Sequence, residues 1–482
     1  MKRFYFSWER FPALFILASL ISGALLSKSL YAPLLFAFTH QRRSFKIGYL
    51  VLALSTAILF KTDRDKALET SWVAAYVKPV EIKESNNRMF MIAKIPYLKT
   101  EDGGEYRKLS VIIPLSKYNR PVMNCHYIIK GRLKKTTGGY SLTPNSWEKV
   151  EKTLSFTENR YFLKQAARKI INSHTKDEDV RAYFSALVTG FIDDPCLKQS
   201  FLITGMLHTL AISGFHFSWI IFILSVPLTL IFPKKYAMIF LLFFAWLYFL
   251  FLGQGASISR AWISISIFLV TLLLSKVPIP LNALGVAGII SILIDPYSVF
   301  ELAFSLSYLA TFAILTLHSF ISESTNYFCK KRDKKVLMMM PFMHKCAYYP
   351  LRFFLSSFLL SLLIQIVLLP ILIHQFTFFP LWGLFYNGFF PLSMIPTLIF
   401  LLLAFAFHPI FGSAFFWKIN ETFSKPFLES LIYGKGFSPL LIKLPPLNTQ
   451  LLTFCGCALV FLCFSREKVA HEDHLISLDD CS

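Results

Sequence analysis

Two histidines, His208 and His216, a serine, Ser213, and a glycine, Gly214, interrupt the otherwise apolar run Thr204–Phe222. An imidazole beside a hydroxyl could act as acid–base and nucleophile, so a membrane-embedded hydrolase using His208, Ser213 and His216 is one reading. It would need a third group to orient the pair, and the run supplies none. The histidines stand eight positions apart, about 12 Å along an unbroken helix, which is too far for one shared metal ion. No metal, no cofactor and no catalytic residue is expected. In a bilayer an unpaired polar group is costly, so such groups face a cavity or another helix. Ser213-Gly214 is then a natural break whose backbone can line a passage. The plainer alternative is two packing histidines beside a small-residue contact.

Other polar residues recur at helical spacing. Ser257, Arg260, Ser264, Thr271 and Ser275 share one helix face. Burying Arg260 at mid-bilayer would cost about 2.5–3.5 kcal/mol, so it belongs at the outer helix end or in a wet cavity. There its guanidinium suits phosphate; an interfacial snorkelling arginine is the alternative. Ser357, Ser361 and Gln365 repeat the pattern, as do Glu301, Ser305 and Tyr308. His374 and Asn387 flank a proline-broken stretch. Asp295 suits an N-cap for the helix after it, and Gly285 and Gly288 suit close helix contact.

The elements that must position these groups are mostly membrane helices. The 482 residues are 55% hydrophobic with a formal charge of +21, and the mean hydropathy is +0.54. That composition excludes an ordinary soluble domain and points to an anionic partner. Nucleic acid and anionic headgroups both qualify. The fold class is mainly α: a polytopic helical membrane protein with an inserted small extracytoplasmic β-barrel of the OB type. Residues 1–60 give a transmembrane hairpin and a third span, although Phe11–Leu26 also reads as a signal-peptide core with Ser22-Gly23-Ala24 as its cleavage site. Residues 61–154 are polar, with β-like runs at Trp72–Val77, Met89–Ile95, Leu109–Pro114, Tyr127–Leu133 and Tyr140–Leu142. Five short strands suit an OB barrel. Its candidate DNA contacts are Arg107, Lys108, Lys117, Tyr118, Arg132 and Lys134, within a basic and aromatic set that also includes Tyr106, Arg120, Lys130 and Lys135; a solvated packing face is the alternative. No disulfide is expected inside it, since Cys125 is its one cysteine.

Residues 155–196 contain an amphipathic helix with Phe162, Leu163, Ala167 and Ile171 on its apolar face. Arg160, Lys164, Arg168 and Lys169 lie on others, as a helix on the membrane surface would have them. Residues 197–464 form the channel-like helical domain, with runs at Phe217–Phe232, Tyr236–Leu252, Trp262–Leu274, Ile279–Ile294 and Phe300–Phe320. Placing the barrel outside, these five crossings bring the basic loop around Lys330–Arg352 to the cytoplasm, as the positive-inside rule requires. Phe353–Ile373 returns, Phe376–Phe407 holds a further broken span, Phe411–Leu444 lies along an interface, and Leu447–Phe464 is the last span. Residues 465–482 are a polar tail. Its His471-Glu472-Asp473-His474 is not expected to bind metal.

HTLAISGFHF, Leu207 excluded, resembles the HLLAISGLH-type signature of the ComEC-type competence protein family, the inner-membrane DNA-uptake channels of natural transformation. GASISRAW (Gly255–Trp262), DPYSVFELAFSLSYLATFAI (Asp295–Ile314) and IQIVLLPILIHQF with YNGFFPL (Ile364–Leu392) resemble that family's later stretches, in its order. The resemblance implies an OB domain at this position and transport of single-stranded DNA across the bacterial inner membrane, along a path that includes His208, Ser213, Gly214, His216, Ser257, Arg260, Ser264, Ser305, Gln365 and Asn387. Implied partners are single-stranded DNA, membrane lipids, an extracytoplasmic DNA receptor, a separate nuclease, and a cytosolic motor or single-strand-binding proteins; a homo-oligomer is allowed. The metallo-β-lactamase-like domain that many members carry is absent. Ser305 stands where the family has Gln, and Phe215 where it has Leu. A transporter of another anionic polymer or lipid is the competing reading.

Overall fold

A computed structural model describes residues 12–26, 71–434 and 441–443, apart from residues 86–87, 101–104, 116–119, 137–138, 153–154, 193, 211, 213, 254, 296–297, 300, 377 and 412–413. The two early runs after residue 26, the last span and the acidic tail with His471 and His474 lie outside the described residues.

The soluble part is five strands: β1 (Ser71–Ser85), β2 (Arg88–Thr100), β3 (Glu105–Leu115), β4 (Cys125–Thr136) and β5 (Gly139–Lys152). They close into a barrel in the order β1-β2-β3-β5-β4, all pairs antiparallel except the short parallel contact of β3 with β5. All five expected runs fall on these strands, which extend further than the apolar runs because polar residues continue the pairing on the outer face. Alternation decides the inside. Val73, Ala75 and Val77 of β1 and Ile129 and Leu133 of β4 point into a dry core with Met91, Ile95, Ile113 and the thiol of Cys125. Between the last two of these on β4, Gly131 is required: a Cβ there would stand 2.2 Å from the Thr143 carbonyl oxygen, at a register shift where β5 crosses closely. On β1 a shift between Pro79 and Glu81 leaves Val80 without a partner on β2, while Glu81 stands opposite Ile92.

Helix α2 (Thr157–His174) leaves the barrel at once. Its first turn is tied back: Glu158 accepts from the Met123 amide at 2.8 Å and pairs with Arg120, and the Thr157 hydroxyl donates to the Met123 carbonyl at 3.0 Å. Arg120 also stacks on Tyr161, 4.0 Å from the ring centre, so this cation belongs to the joint rather than to a free surface. Helices α3 (Glu178–Thr189), α4 (Pro195–Ile203) and the single turn α5 (Leu207–Leu210) follow. Asp177 caps α3 by accepting from the amides of Asp179 and Val180, and Asp194 with Pro195 starts α4.

The apolar runs become α6 (Gly214–Ile231), α7 (Lys234–Leu252), α8 (Ala256–Leu273), α9 (Pro280–Ile294) and α10 (Leu302–Phe328), then the short α11 (Lys334–Met339), α12 (Phe342–Phe376), α13 (Trp382–Phe411) and α14 (Ala414–Gly434). Strands β6 (Phe378–Pro380) and β7 (Leu441–Lys443) pair. Among the described residues three helices are long and apolar enough to cross a membrane, and five if the bent pairs in α10 and α13 each count as one span. The N-terminal helix α1 (Pro12–Leu26) packs along α9. Gly285 and Gly288 permit this contact, as expected: a Cβ on Gly285 would lie 2.4 Å from the Leu14 nitrogen.

Three expectations need correction. The basic face of α2 is not turned outward: Arg160 and Lys164 are buried, while Phe162 and Leu163 are exposed. The reason is a set of acceptors distant in sequence. Arg160 donates to the Leu250 carbonyl at 2.7 Å, and Lys164 to the Leu252 carbonyl at 3.0 Å and to Glu81 at 2.8 Å. The two cations thus cap the C-terminal end of α7, where the helix dipole favours positive charge. Secondly, α14 is packed rather than merely interfacial. Trp417, Leu428 and Leu431 join a core with α2, α3, α4 and α13, and Glu421 accepts from the amides of Lys176 and Asp177. Thirdly, Asp295 ends α9 instead of starting α10, whose N-cap is Glu301. Its carboxylate takes Lys94 of the barrel at 3.2 Å.

Candidate functional site

The contacts of Arg160, Lys164 and Lys94 fix which helix ends face the barrel. They are the end of α7, the end of α9 and, by connection, the starts of α8 and α10. The start of α6 belongs with them, because it meets the start of α8. A Cβ on Gly214 would stand 3.0 Å from a terminal guanidinium nitrogen of Arg260 and 3.4 Å from the Ala261 methyl. The glycine at the break is therefore what lets the arginine lie against the first turn of α6.

Arg260 sits in the second turn of α8. Its Nε donates to the Ser307 hydroxyl of α10 at 2.7 Å, and its guanidinium carbon lies 5.7 Å from the centre of the Tyr308 ring. Tyr308 is held in turn by Phe304, stacked at 4.2 Å, and by the Ser291 hydroxyl of α9 at 3.1 Å. One side of the guanidinium is thus committed to protein, and the arginine stands at the barrel-facing end, as its cost at mid-bilayer predicts. The serine that fixes it was missed in the sequence. Ser307 is the neighbour of Tyr308 in the chain and lies one position off the expected stripe. Ser305, the expected contact, sits one turn before Tyr308 and is half-buried.

The histidines divide. His216 is wholly buried, its ring bonded to the Thr209 backbone. His208, on α5, bonds the Gly205 backbone, and its residue is exposed. Ser213 lies outside the described residues. Ser257 and Ser264 are half-buried on α8. Ser275 falls off the stripe: it follows the helix in a left-handed turn at φ 54.

A second polar seam runs between α12 and α13. Asn387 donates to Ser361 at 3.2 Å, and Gln365 Nε2 would lie 3.1 Å from a Cβ on Gly383. Gly383 touches Gly205, whose φ of +75 and close neighbours, with Pro380 at 2.9 Å from any Cβ, admit only glycine without strain. The loop preceding His208 is thereby pressed against the start of α13. That contact was not foreseen, and no local pattern in the sequence signals it. Nothing is described for the side chain of His374.

On the barrel, Arg132 and Lys134 are exposed on β4, and Arg132 lies directly opposite the exposed Trp72 of β1. Tyr76 opposes Tyr97 across β1 and β2, and Arg107 of β3 is next in register. Lys108 follows on β3, while Lys117 and Tyr118 lie outside the described residues. Trp72, Tyr76 and Tyr97 add ring faces that the sequence reading had left out; their outward positions in the alternating strands were the available signal.

A family model described as Competence protein matches residues 192–469, more than half of the chain. The chain belongs to the competence protein family. No curated protein and no solved structure matches it. The match starts at the α3–α4 connection, so this competence protein carries its family region from α4 onward. The resembling stretches at His208, Arg260 and Ser305–Tyr308 all fall inside it.

Proposed function

We propose that this competence protein conducts single-stranded DNA across the bacterial cytoplasmic membrane during natural transformation, as a multi-pass conduit and not as an enzyme. The observation that carries the reading is convergence. Gly214, Arg260 and the Ser305–Tyr308 stretch come from three separate family stretches, and they meet at the barrel-facing end of the helices. DNA phosphates cannot cross lipid, and a guanidinium steadied through Nε keeps its outer nitrogens for a phosphate. Polar seams along α8 and between α12 and α13 suit a wall that lets a strand slide without reading bases. The five-stranded barrel suits the OB type. Its outer strip of Arg132, Trp72, Lys130, Lys99 and the Tyr76–Tyr97 pair combines charge for the backbone with rings for bases. The receptor, nuclease and motor expected from the family belong to the same proposal. The hydrolase alternative draws no support from His216, whose buried ring is engaged by backbone.

The test is delivery of labelled DNA to the cytoplasm in cells carrying wild type, a deletion, or Arg260→Ala with or without His208→Ala. Deletion should leave DNA outside the cytoplasmic membrane. Arg260→Ala should lower transfer about ten- to a hundredfold, the worth of one charge-assisted hydrogen bond, and Arg260→Lys should restore only part of it. Undiminished entry in the deletion strain would remove the proposal and bring forward transport of another anionic polymer or lipid.

A further inference from the structure

Helices α10 and α12 are joined on the side away from the barrel by a hairpin with an unusual surface. Between Tyr327 and Arg352 there are seven Lys and Arg residues and a single acid, Asp333. The same segment exposes Met338, Met339, Phe342 and Met343, at 81%, 85%, 77% and 77% of their surface. The hairpin is braced. Arg352 donates to the Cys329 carbonyl at 2.6 Å and to Asn326 at 2.5 Å; the Tyr348 hydroxyl joins the Lys330 carbonyl and the Arg332 amide; Lys345 donates to the Met338 carbonyl at 3.2 Å. These contacts hold the chain while leaving the apolar side chains outside.

Depth identifies what covers them. The apolar stretch Phe342–Leu369 of α12 has 28 residues, about 42 Å of helix, against about 30 Å of hydrocarbon and about 40–45 Å with headgroups. The end at Phe342 and the adjoining α11 therefore fall in the headgroup layer. Exposed Lys330, Lys331 and Lys335 flank apolar residues at that depth. Basic side chains bind anionic headgroups there, and apolar ones enter the acyl boundary.

We propose that the α10–α12 hairpin is a docking surface for the anionic phospholipids of the cytoplasmic leaflet, with its methionines and Phe342 inserted and its lysines on lipid phosphates. This rests on the membrane reading of α12 above. A nucleic-acid strand would use the same cations, and Tyr327, Phe328 and Tyr349 expose rings at the base of the hairpin, but the residues exposed on α11 and at the start of α12 are Met338, Met339 and Met343 with Phe342, a set that suits acyl chains better than stacked bases.

The test uses the full chain in nanodiscs of phosphatidylcholine alone or mixed with phosphatidylglycerol, read by hydrogen exchange over residues 330–345. The anionic lipid should slow exchange there about tenfold or more at low salt, and less at high salt. Lys330→Gln with Lys331→Gln and Lys335→Gln should abolish the difference between lipids, and Met338→Ser with Met339→Ser should raise exchange in both. Equal exchange of the wild-type hairpin in the two lipids overturns the proposal. So does protection that appears only on adding single-stranded oligonucleotide, which would make this a strand-binding surface. A chain that fails to enter nanodiscs refutes the membrane reading itself, and the proposal with it.

Discussion

The barrel and the helical region bury opposite things. In the barrel the inside is largely apolar, with Ala75, Val77, Met91, Ile95 and Ile129 at zero exposure, and the cations Lys99, Arg132 and Lys134 stand outside. In the helical region Leu230, Val277 and Ile294 are 82%, 86% and 74% exposed. His216, Asn420 and Thr397 are inside. Water drives the first arrangement through the hydrophobic effect. Lipid removes that drive, so helices meet through small residues and hydrogen bonds instead. On the proposed membrane placement the difference means that the chain folds against two solvents, and that the segment between them must satisfy both. Helix α2 is that segment. It turns Phe162 and Leu163 outward and Arg160 and Lys164 inward, onto the carbonyls of Leu250 and Leu252 at the end of α7.

The comparison breaks first at Lys164. This ammonium is nearly inaccessible and serves Glu81 of the barrel and Leu252 of α7 together. Lys164→Ala takes the buried ammonium from Glu81 and the Leu252 carbonyl and leaves Arg160 as the cation at that helix end, a loss of about 3 kcal/mol for a buried pair. The expected readout is regional. Hydrogen exchange should accelerate in the last turn of α7 and around Glu81, while the paired amides of β2 and β3 stay protected. If strand amides open equally, the barrel and the helices are one cooperative unit and the two-solvent division is too sharp.

How much of this was legible follows from the same division. The barrel could be read because water enforces period-two alternation: Val73, Ala75, Val77, Ile129 and Leu133 point inward, and Lys78, Lys130, Arg132 and Lys134 stand on the outer face of the same strands. The helices from α6 to α10 could be read because lipid enforces long apolar runs. The desolvation cost of Arg260 left a helix end or a wet cavity open, and the residue stands in the second turn of α8. What stayed hidden depends on partners far away in the chain. Arg160 and Lys164 look solvent-facing until Leu250, Leu252 and Glu81 supply acceptors. Ser307 looks like any helix serine until Arg260 reaches it from another helix. The approach of Gly205 to Gly383 required both backbones to be in place. Local pattern carries the solvent, and it does not carry the partner.

A sharper form of the contrast concerns α13 and α14. Asn420 donates to the Thr397 carbonyl at 3.1 Å, and Ser424 reaches both Asn420 and the Thr397 hydroxyl. Were this a core in water, removing one member of a buried network would cost the full penalty of the orphaned groups. Between helices in lipid the measured worth of such bonds averages well below that. Asn420→Ala should therefore cost about 1 kcal/mol in a thermal unfolding assay in lipid. A loss several times larger would mean that this pair of helices behaves as a water-soluble core with α2–α4, and the boundary between the two regions would move to include α14.

The smallest effect expected is at the rim of that same contact. Asp177 caps α3 and receives Lys425 of α14 at 2.9 Å. Partial burial pushes its pKa up, but the bond from Lys425 and the amides of Val180 and Asp179 outweigh it and hold the carboxyl below its ordinary pKa. A depressed carboxyl stabilises the fold above the pKa it has when unfolded, and that stability is lost as pH falls through the lower folded value. Asp177→Asn keeps a capping oxygen and removes the charge. It should lower stability slightly at neutral pH and flatten the acid limb of the stability curve, whereas Asp177→Ala should cost about 1 kcal/mol by losing the cap. Equal losses in the two variants would assign the whole effect to the ion pair. The α3–α14 joint would then depend on charge at a solvated edge, which belongs to the barrel's solvent and not to the helices'.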